Sequence, residues 1–77
     1  MSGHGAAAEL VAFVAKAIVN DADAVKVHEP EPGLLELETA PDDRGRVIGR
    51  QGRVAKAMRV VLAASAVGAD CRLEIVD

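Results

Sequence analysis

Val47-Ile48-Gly49-Arg50-Gln51-Gly52-Arg53-Val54 is the stretch on which the reading of this 77-residue chain turns. Two glycines bracket two polar residues. An apolar pair leads in, and an amphipathic helical pattern follows from Arg53. A tight Gly-x-x-Gly turn between two helices brings main-chain amides close to whatever lies against it. Glycine has no Cβ, so another backbone can approach closely. The start of the following helix adds unpaired N–H groups and a partial positive charge. Arg50 and Arg53 add full charges. Together these parts suit the sugar-phosphate backbone of a single-stranded nucleic acid.

Working outward, the charge pattern supports the same reading. The net charge is −3, which by itself argues against nucleic acid. Its distribution reverses that. Residues 1–43 carry Lys16 and Lys26 against nine acids, and residues 60–77 carry Arg72 against Asp70, Glu74 and Asp77. Between them, residues 44–59 hold Arg44, Arg46, Arg50, Arg53, Lys56 and Arg59 and no acid, a local charge of +6. Potential within a Debye length of about 8–10 Å governs phosphate binding more than the total does. The acidic remainder discourages indiscriminate binding elsewhere.

The flanking segments resolve into elements. Residues 1–5 form a polar, glycine-rich tail, expected to be disordered, and His4 within it is expected to be inert. A helix follows from about Ala6 to Asn20, with Leu10, Phe13, Val14, Ala17 and Ile18 on one face. Val25 to Glu29 alternates as a strand, with His28 at a polar position. Pro30-Glu31-Pro32-Gly33 is a turn. Leu34 to Thr39 is a second strand, Leu35 and Leu37 inward and Glu36 and Glu38 outward, antiparallel to the first. Pro41 suits the first turn of a short helix, with Asp42 and Asp43 favouring its dipole. The helix after the loop is expected to run from Arg53 to Val67, stopped by Gly68, with Met58, Val61 and Leu62 toward the core. A last strand runs from Cys71 to Val76, with Cys71, Leu73 and Ile75 on one face. Cys71 reads as a small core residue. The order is α-β-β-α-α-β in an α+β fold. The two-helix crossover makes the second and third strands parallel.

The run Gly45-Arg46-Val47-Ile48-Gly49-Arg50-Gln51-Gly52-Arg53-Val54-Ala55-Lys56-Ala57-Met58-Arg59 resembles the K homology (KH) signature. The chain is similar to the small bacterial single-KH RNA-binding proteins of the KhpA type from about residue 6 to Asp77. The resemblance implies a type II KH fold over residues 6–77, a three-stranded mixed sheet with helices on one face. It also implies a groove for about four unpaired nucleotides, clamped at the glycine loop. Carried over by position, Gly49, Arg50, Gln51 and Gly52 form the clamp. Arg46, Arg53 and Lys56 flank it as phosphate partners. Ile48 and Val54 contribute to an apolar groove floor or are purely core. The role of Arg44 and Arg59 is open. Single-stranded RNA is the implied partner, and nothing in these residues discriminates it from single-stranded DNA. The resemblance further implies a homodimer or a pairing with a Jag/KhpB-type KH protein, post-transcriptional or RNA-chaperone activity, a cytoplasmic location, and a link to cell elongation and division.

Composition sets the bounds. The residues are 51% hydrophobic, so a core is available, although a domain of this length buries only about 60% of its unfolded surface. The single cysteine permits no intrachain disulfide and fits a reducing compartment. No secretory pattern and no membrane-spanning run is present. Phe13 is the only aromatic, so modules that stack bases on several aromatics do not fit. The hydroxyls Ser2, Thr39 and Ser65 and the histidines His4 and His28 form no catalytic constellation, so no enzyme, no cofactor and no metal site is expected. A rival reading is a dimerisation module with incidental RNA contact. Val60 to Val67 is apolar nearly all round a helix, which calls for cover on both sides. Val60, Ala63 and Val67 would then form a dimer interface.

Overall fold

Strand β2 (Leu34–Glu38) is the middle of the molecule, and its two inward leucines, Leu35 and Leu37, are completely buried. The computed structural model describes residues 4–76. Helix α1 (Gly5–Ile18) leads through a 3₁₀ turn at Ala22–Ala24 to β1 (Lys26–Glu31). After β2, a 3₁₀ turn at Pro41–Asp43 opens α2 (Arg44–Ile48). A third such turn at Arg50–Gly52 opens α3 (Arg53–Ala64), and β3 (Arg72–Val76) is the last element. This is the expected α-β-β-α-α-β order. The sheet runs β1-β2-β3, with β1 antiparallel and β3 parallel to β2. Residues pair as Val27↔Leu37 and Leu37↔Ile75, and as Leu35↔Leu73, so the inward positions line up across the strands. The helices pack on that face over a core of Ala7, Val11, Ala15, Val47, Met58 and Leu62. The opposite face carries Lys26, His28, Glu36 and Glu38, with His28 Nε2 3.1 Å from Glu38 Oε1.

Several boundaries and faces differ from the sequence reading, each for a physical reason. Of the expected disordered tail, residues 1–3 lie outside the described residues. His4 and Gly5 stand instead at the start of α1, where Ala8 N–H donates to His4 O at 3.0 Å. The buried face of α1 is Ala7, Val11 and Ala15, and Phe13 is 74% exposed. Almost every position of this helix is apolar, so periodicity had little contrast to read. Close approach to its neighbours selects the small residues. Strand β1 runs on through Pro30 to Glu31, with its register shifting between His28 and Glu31. Proline is tolerated there because β1 is an edge strand with an irregularity.

Helix α3 stops at Ala64, not Val67. Ser65 is extended, and its hydroxyl donates to Leu62 O at 2.7 Å and accepts Gly68 N–H at 3.0 Å. A side chain that takes its neighbours' main-chain groups competes with the helix. Gly68 therefore lies in the following turn. Val61, expected in the core, is half exposed, whereas Met58 and Leu62 are buried as expected. Asp43 does not merely face the helix dipole. It is buried, and its carboxylate accepts the N–H groups of Asn20 at 3.1 Å and Asp21 at 3.0 Å. These main-chain donors, with Arg46 adding charge, hold the Asp43 carboxyl below the usual aspartate range. The contact ties the α1–β1 connection to the start of α2, and so positions the glycine loop.

Candidate nucleic-acid interface

The loop owes its shape to backbone conformations that most residues avoid. Gly49 has φ 77° and ψ 171°, Gln51 φ 57° and Gly52 φ 74°. Gly49 N–H closes α2 onto Gly45 O at 2.8 Å, and Gly52 N–H returns to Gly49 O at 3.1 Å. The two glycines are needed for different reasons. A Cβ on Gly49 would lie 2.5 Å from Val54 Cγ2 and 2.8 Å from Val54 N, so both packing and φ demand glycine. A Cβ on Gly52 would meet nothing within 4 Å, so only its φ does. Gln51 is the one non-glycine with positive φ among the described residues. A side-chain-bearing residue held there costs about 1 kcal/mol or more, and such strain gathers at ligand clamps. Arg50 and Gln51 are exposed, and their amides open the turn, where N–H groups have no partner within the turn itself.

Five of the six basic residues around the loop divide into three groups. Arg50, Arg53 and Lys56 are exposed at or just after the loop, with an Arg53 guanidinium nitrogen donating to Gln51 Oε1 at 3.4 Å. Arg46 turns back, its Nε 3.4 Å from Asp43 Oδ1. Arg59 reaches across to the sheet, where its Nε donates to Leu73 O at 3.1 Å.

Between α3 and β3 runs a groove of about 770 Å³ that begins at the loop. Its helical wall is Ile48, Gly52, Ala55, Arg59 and Ala63, and its other wall is the segment from Cys71 to Ile75. Strand β3 is an outer strand of the sheet, so this wall is a sheet edge. Leu73 and Ile75 share the inward side of the sheet, which makes the groove apolar below a charged rim. A basic, glycine-built entrance leading into an apolar trough beside a sheet edge is the arrangement a KH domain requires.

The chain belongs to the KhpA/KhpB KH-domain family. The family model matches residues 8–76, nearly the whole chain. The chain is 48% identical to RNA-binding protein KhpA of Caldanaerobacter subterraneus over 75% of this chain and 81% of that one. It is 42% identical to RNA-binding protein KhpA of Leifsonia xyli over 91% and 96% of the two chains. With RNA-binding protein KhpA of Borreliella burgdorferi it shares 39% identity over the full length of both. No solved structure matches it. Membership in a KH RNA-binding domain family places the chain outside the enzymes. The α+β order and mixed sheet are those of the type II KH fold. Among the described residues, no helix is long and apolar enough to cross a membrane.

Within this KhpA/KhpB KH domain, the residues read from the sequence fall into distinct places. Gly49, Arg50, Gln51 and Gly52 form one turn, with Arg53 and Lys56 immediately after it. Ile48 lines the groove. Val54 lies beneath Gly49 and packs, partly buried, against the core. Ala55, Arg59 and the segment from Cys71 to Ile75 were not assigned to the groove from sequence. Arg59 carried a signal, being one of the six basic residues, but its partner lies 14 positions away on another element. Val60 and Ala63 are exposed on α3, while Val67 sits beyond its end in the turn, 41% exposed.

Proposed function

We propose that this protein binds single-stranded RNA, clamping the sugar-phosphate backbone at Gly49-Arg50-Gln51-Gly52 and laying about four nucleotides along the groove between α3 and β3. The observation that carries the reading is the continuity of the strained basic loop with that groove. Phosphate would meet the opening amides and the charges of Arg50, Arg53 and Lys56. Bases would lie on the apolar floor at Ile48 and Ala55. Arg46, occupied by Asp43, would act at longer range. Phe13 lies on α1 and is not among the groove residues, so recognition proceeds without aromatic stacking. The names of the relatives, each an RNA-binding protein, support the same class of ligand. The likeness to KhpA-type proteins extends the reading to a cytoplasmic RNA chaperone or post-transcriptional regulator linked to cell elongation and division.

The test is a double variant, Arg50→Asp with Gln51→Asp, assayed by fluorescence anisotropy with short single-stranded RNA. Both side chains are exposed, so the melting curve should be unchanged. Affinity should fall about 100-fold, the loss expected from one or two charge-assisted contacts. Wild-type binding should weaken with salt at a log–log slope of about −1.5 to −3, for two to four contacts at about 0.7 each. A folded double variant that binds like wild type removes the clamp from this loop.

A second reading, association, rests on a different observation. Val60 is 68% exposed and Val67 41%, with Ala63 also exposed near the end of α3. Burying them against a second copy or a KhpB-type KH protein would add apolar area that a small domain lacks. Two grooves held together would also engage one RNA with higher apparent affinity. Val60→Asp should shift light scattering from dimer to monomer. A wild type that is monomeric at high concentration, alone and with a KH partner, rules this out.

A further inference from the structure

His4, read from the sequence as inert, and Cys71, read as a small core residue, come together in space although 67 positions apart in the chain. His4 Nδ1 lies 2.7 Å from Glu29 Oε2, and Glu29 Oε2 also accepts Gly33 N–H at 2.9 Å. On the other side of the ring, His4 Nε2 lies 3.5 Å from Asp70 Oδ2. Asp70 Oδ1 is in turn 4.0 Å from Cys71 Sγ. Ligand atoms of His4, Asp70 and Cys71 all fall within 4.8 Å of one another. A carboxylate can only accept at this pH, so the closer Glu29 contact fixes a proton on Nδ1, and Nε2, which faces Asp70 and Cys71, is the nitrogen that would exchange its own proton for a cation. That is the carboxylate–histidine–metal arrangement, in which an outer carboxylate orients the ring and raises its basicity.

We infer that His4 Nε2, the Asp70 carboxylate and the Cys71 thiolate bind one Zn²⁺ ion, with Glu29 as the outer carboxylate and water in the fourth position. The donor set selects the metal class. Imidazole with thiolate favours zinc and its neighbours over Mg²⁺ or Ca²⁺, which take oxygen. Zinc bonds of about 2.0–2.3 Å in a tetrahedron separate ligand atoms by about 3.3–3.8 Å. The His4–Asp70 separation already lies in that range, Cys71 Sγ lies 4.0 Å from the other Asp70 oxygen, and the three ligand atoms, all within 4.8 Å, would draw together on the ion. The Asp70 side chain is 81% exposed and free to swing inward, while the His4 side chain is 19% exposed and held by Glu29. Coordination expels the Cys71 thiol proton and the proton that His4 Nε2 shares with Asp70 to solvent, leaving a neutral site of Zn²⁺, one thiolate, one carboxylate and neutral imidazole. The ion would join the start of α1, strand β1 and the entry to β3. It would sit at the end of the groove where Cys71 forms part of the wall. The inference does not depend on RNA binding.

The test uses the full chain in metal-free buffer. Zinc chloride titrated calorimetrically should bind with one equivalent and raise the melting temperature. Co²⁺ in its place should give tetrahedral visible bands and a near-ultraviolet sulfur-to-cobalt charge-transfer band. Cys71→Ser should abolish that band. His4→Gln should weaken zinc binding at least tenfold, and Glu29→Gln about 10–100-fold, the usual loss for an outer partner. His28→Ala, at the other histidine–carboxylate pair, should change nothing. Melting curves of the metal-free variants establish that each is folded. Absence of stoichiometric zinc binding by wild type overturns the site. So does zinc binding that Cys71→Ser and His4→Gln both leave unchanged.

Discussion

The two ends of α3 are closed by opposite means. At its start no side chain caps the helix. The turn is made by backbone alone, with Gly49, Gln51 and Gly52 at positive φ and exposed basic side chains around them. At its far end a side chain does the work. Ser65 Oγ bonds both Leu62 O and Gly68 N–H, and Ser65 N–H and Cys71 N–H complete the turn on Leu62 O and Gly68 O. Main-chain groups satisfied internally cannot recognise a ligand. Those at the opening of the glycine turn can. Under the proposed function, the difference makes one end of α3 the recognition element and the other a structural stop.

The contrast can be broken first at the glycines. Gly49→Ala meets Val54 and also forces a positive φ on a side chain. It should cost about 2–5 kcal/mol in urea unfolding, from overpacking and backbone strain together. Gly52→Ala suffers only the backbone strain, about 1–2 kcal/mol, and should stay folded while binding RNA more weakly. Equal losses would mean that packing on Val54 is not what demands glycine at the first position.

At the opposite end, Ser65→Ala removes two hydrogen bonds and should destabilise by about 1–2 kcal/mol. RNA affinity of the folded protein should stay within about twofold of wild type. A large loss of affinity would show that the two ends of α3 are not separable.

Asp43 sharpens the comparison from upstream, since it anchors the helix that delivers the loop. Its folded pKa is depressed by the Asp21 and Asn20 amides. Its contribution is therefore fully present above the ordinary aspartate value of about 3.9 and lost as pH falls below that through the folded pKa. Asp43→Asn should melt several degrees lower at neutral pH. It should also lose less than wild type between about pH 5 and about pH 2. Parallel pH profiles would remove Asp43 as the linked group.

The smallest effect concerns the strut across the groove. Arg59→Ala deletes the bond to Leu73 O and one charge. It should cost about 1 kcal/mol of stability and several-fold in RNA affinity. Unchanged affinity would make Arg59 a purely structural tie.

Much of this was legible because it is local. The Gly-x-x-Gly spacing, the alternation of Leu35 and Leu37 with glutamates, and Pro41 before a helix each depend on neighbours within a few residues. The faces of α1 and the end of α3 were not legible for lack of contrast. An alanine-valine helix looks apolar on every side, and a serine inside such a run gives little sign that its hydroxyl will take Leu62 O. Val54 and Ile48 are both apolar residues flanking the loop, and only the tertiary packing sets Val54 beneath Gly49 and Ile48 along the groove wall.

By itself, the sequence determined the element order, the glycine turn and the basic cluster around it, because each follows from backbone preference and charge along the chain. Only the tertiary structure decided where the groove runs, which arginine spans it, and that His4 meets Asp70 and Cys71 from the other end of the chain. Those are contacts between residues distant in sequence. They form because burial of the leucines of β2 brings the helices and strands together, and no local pattern records which side chains that collapse will set side by side.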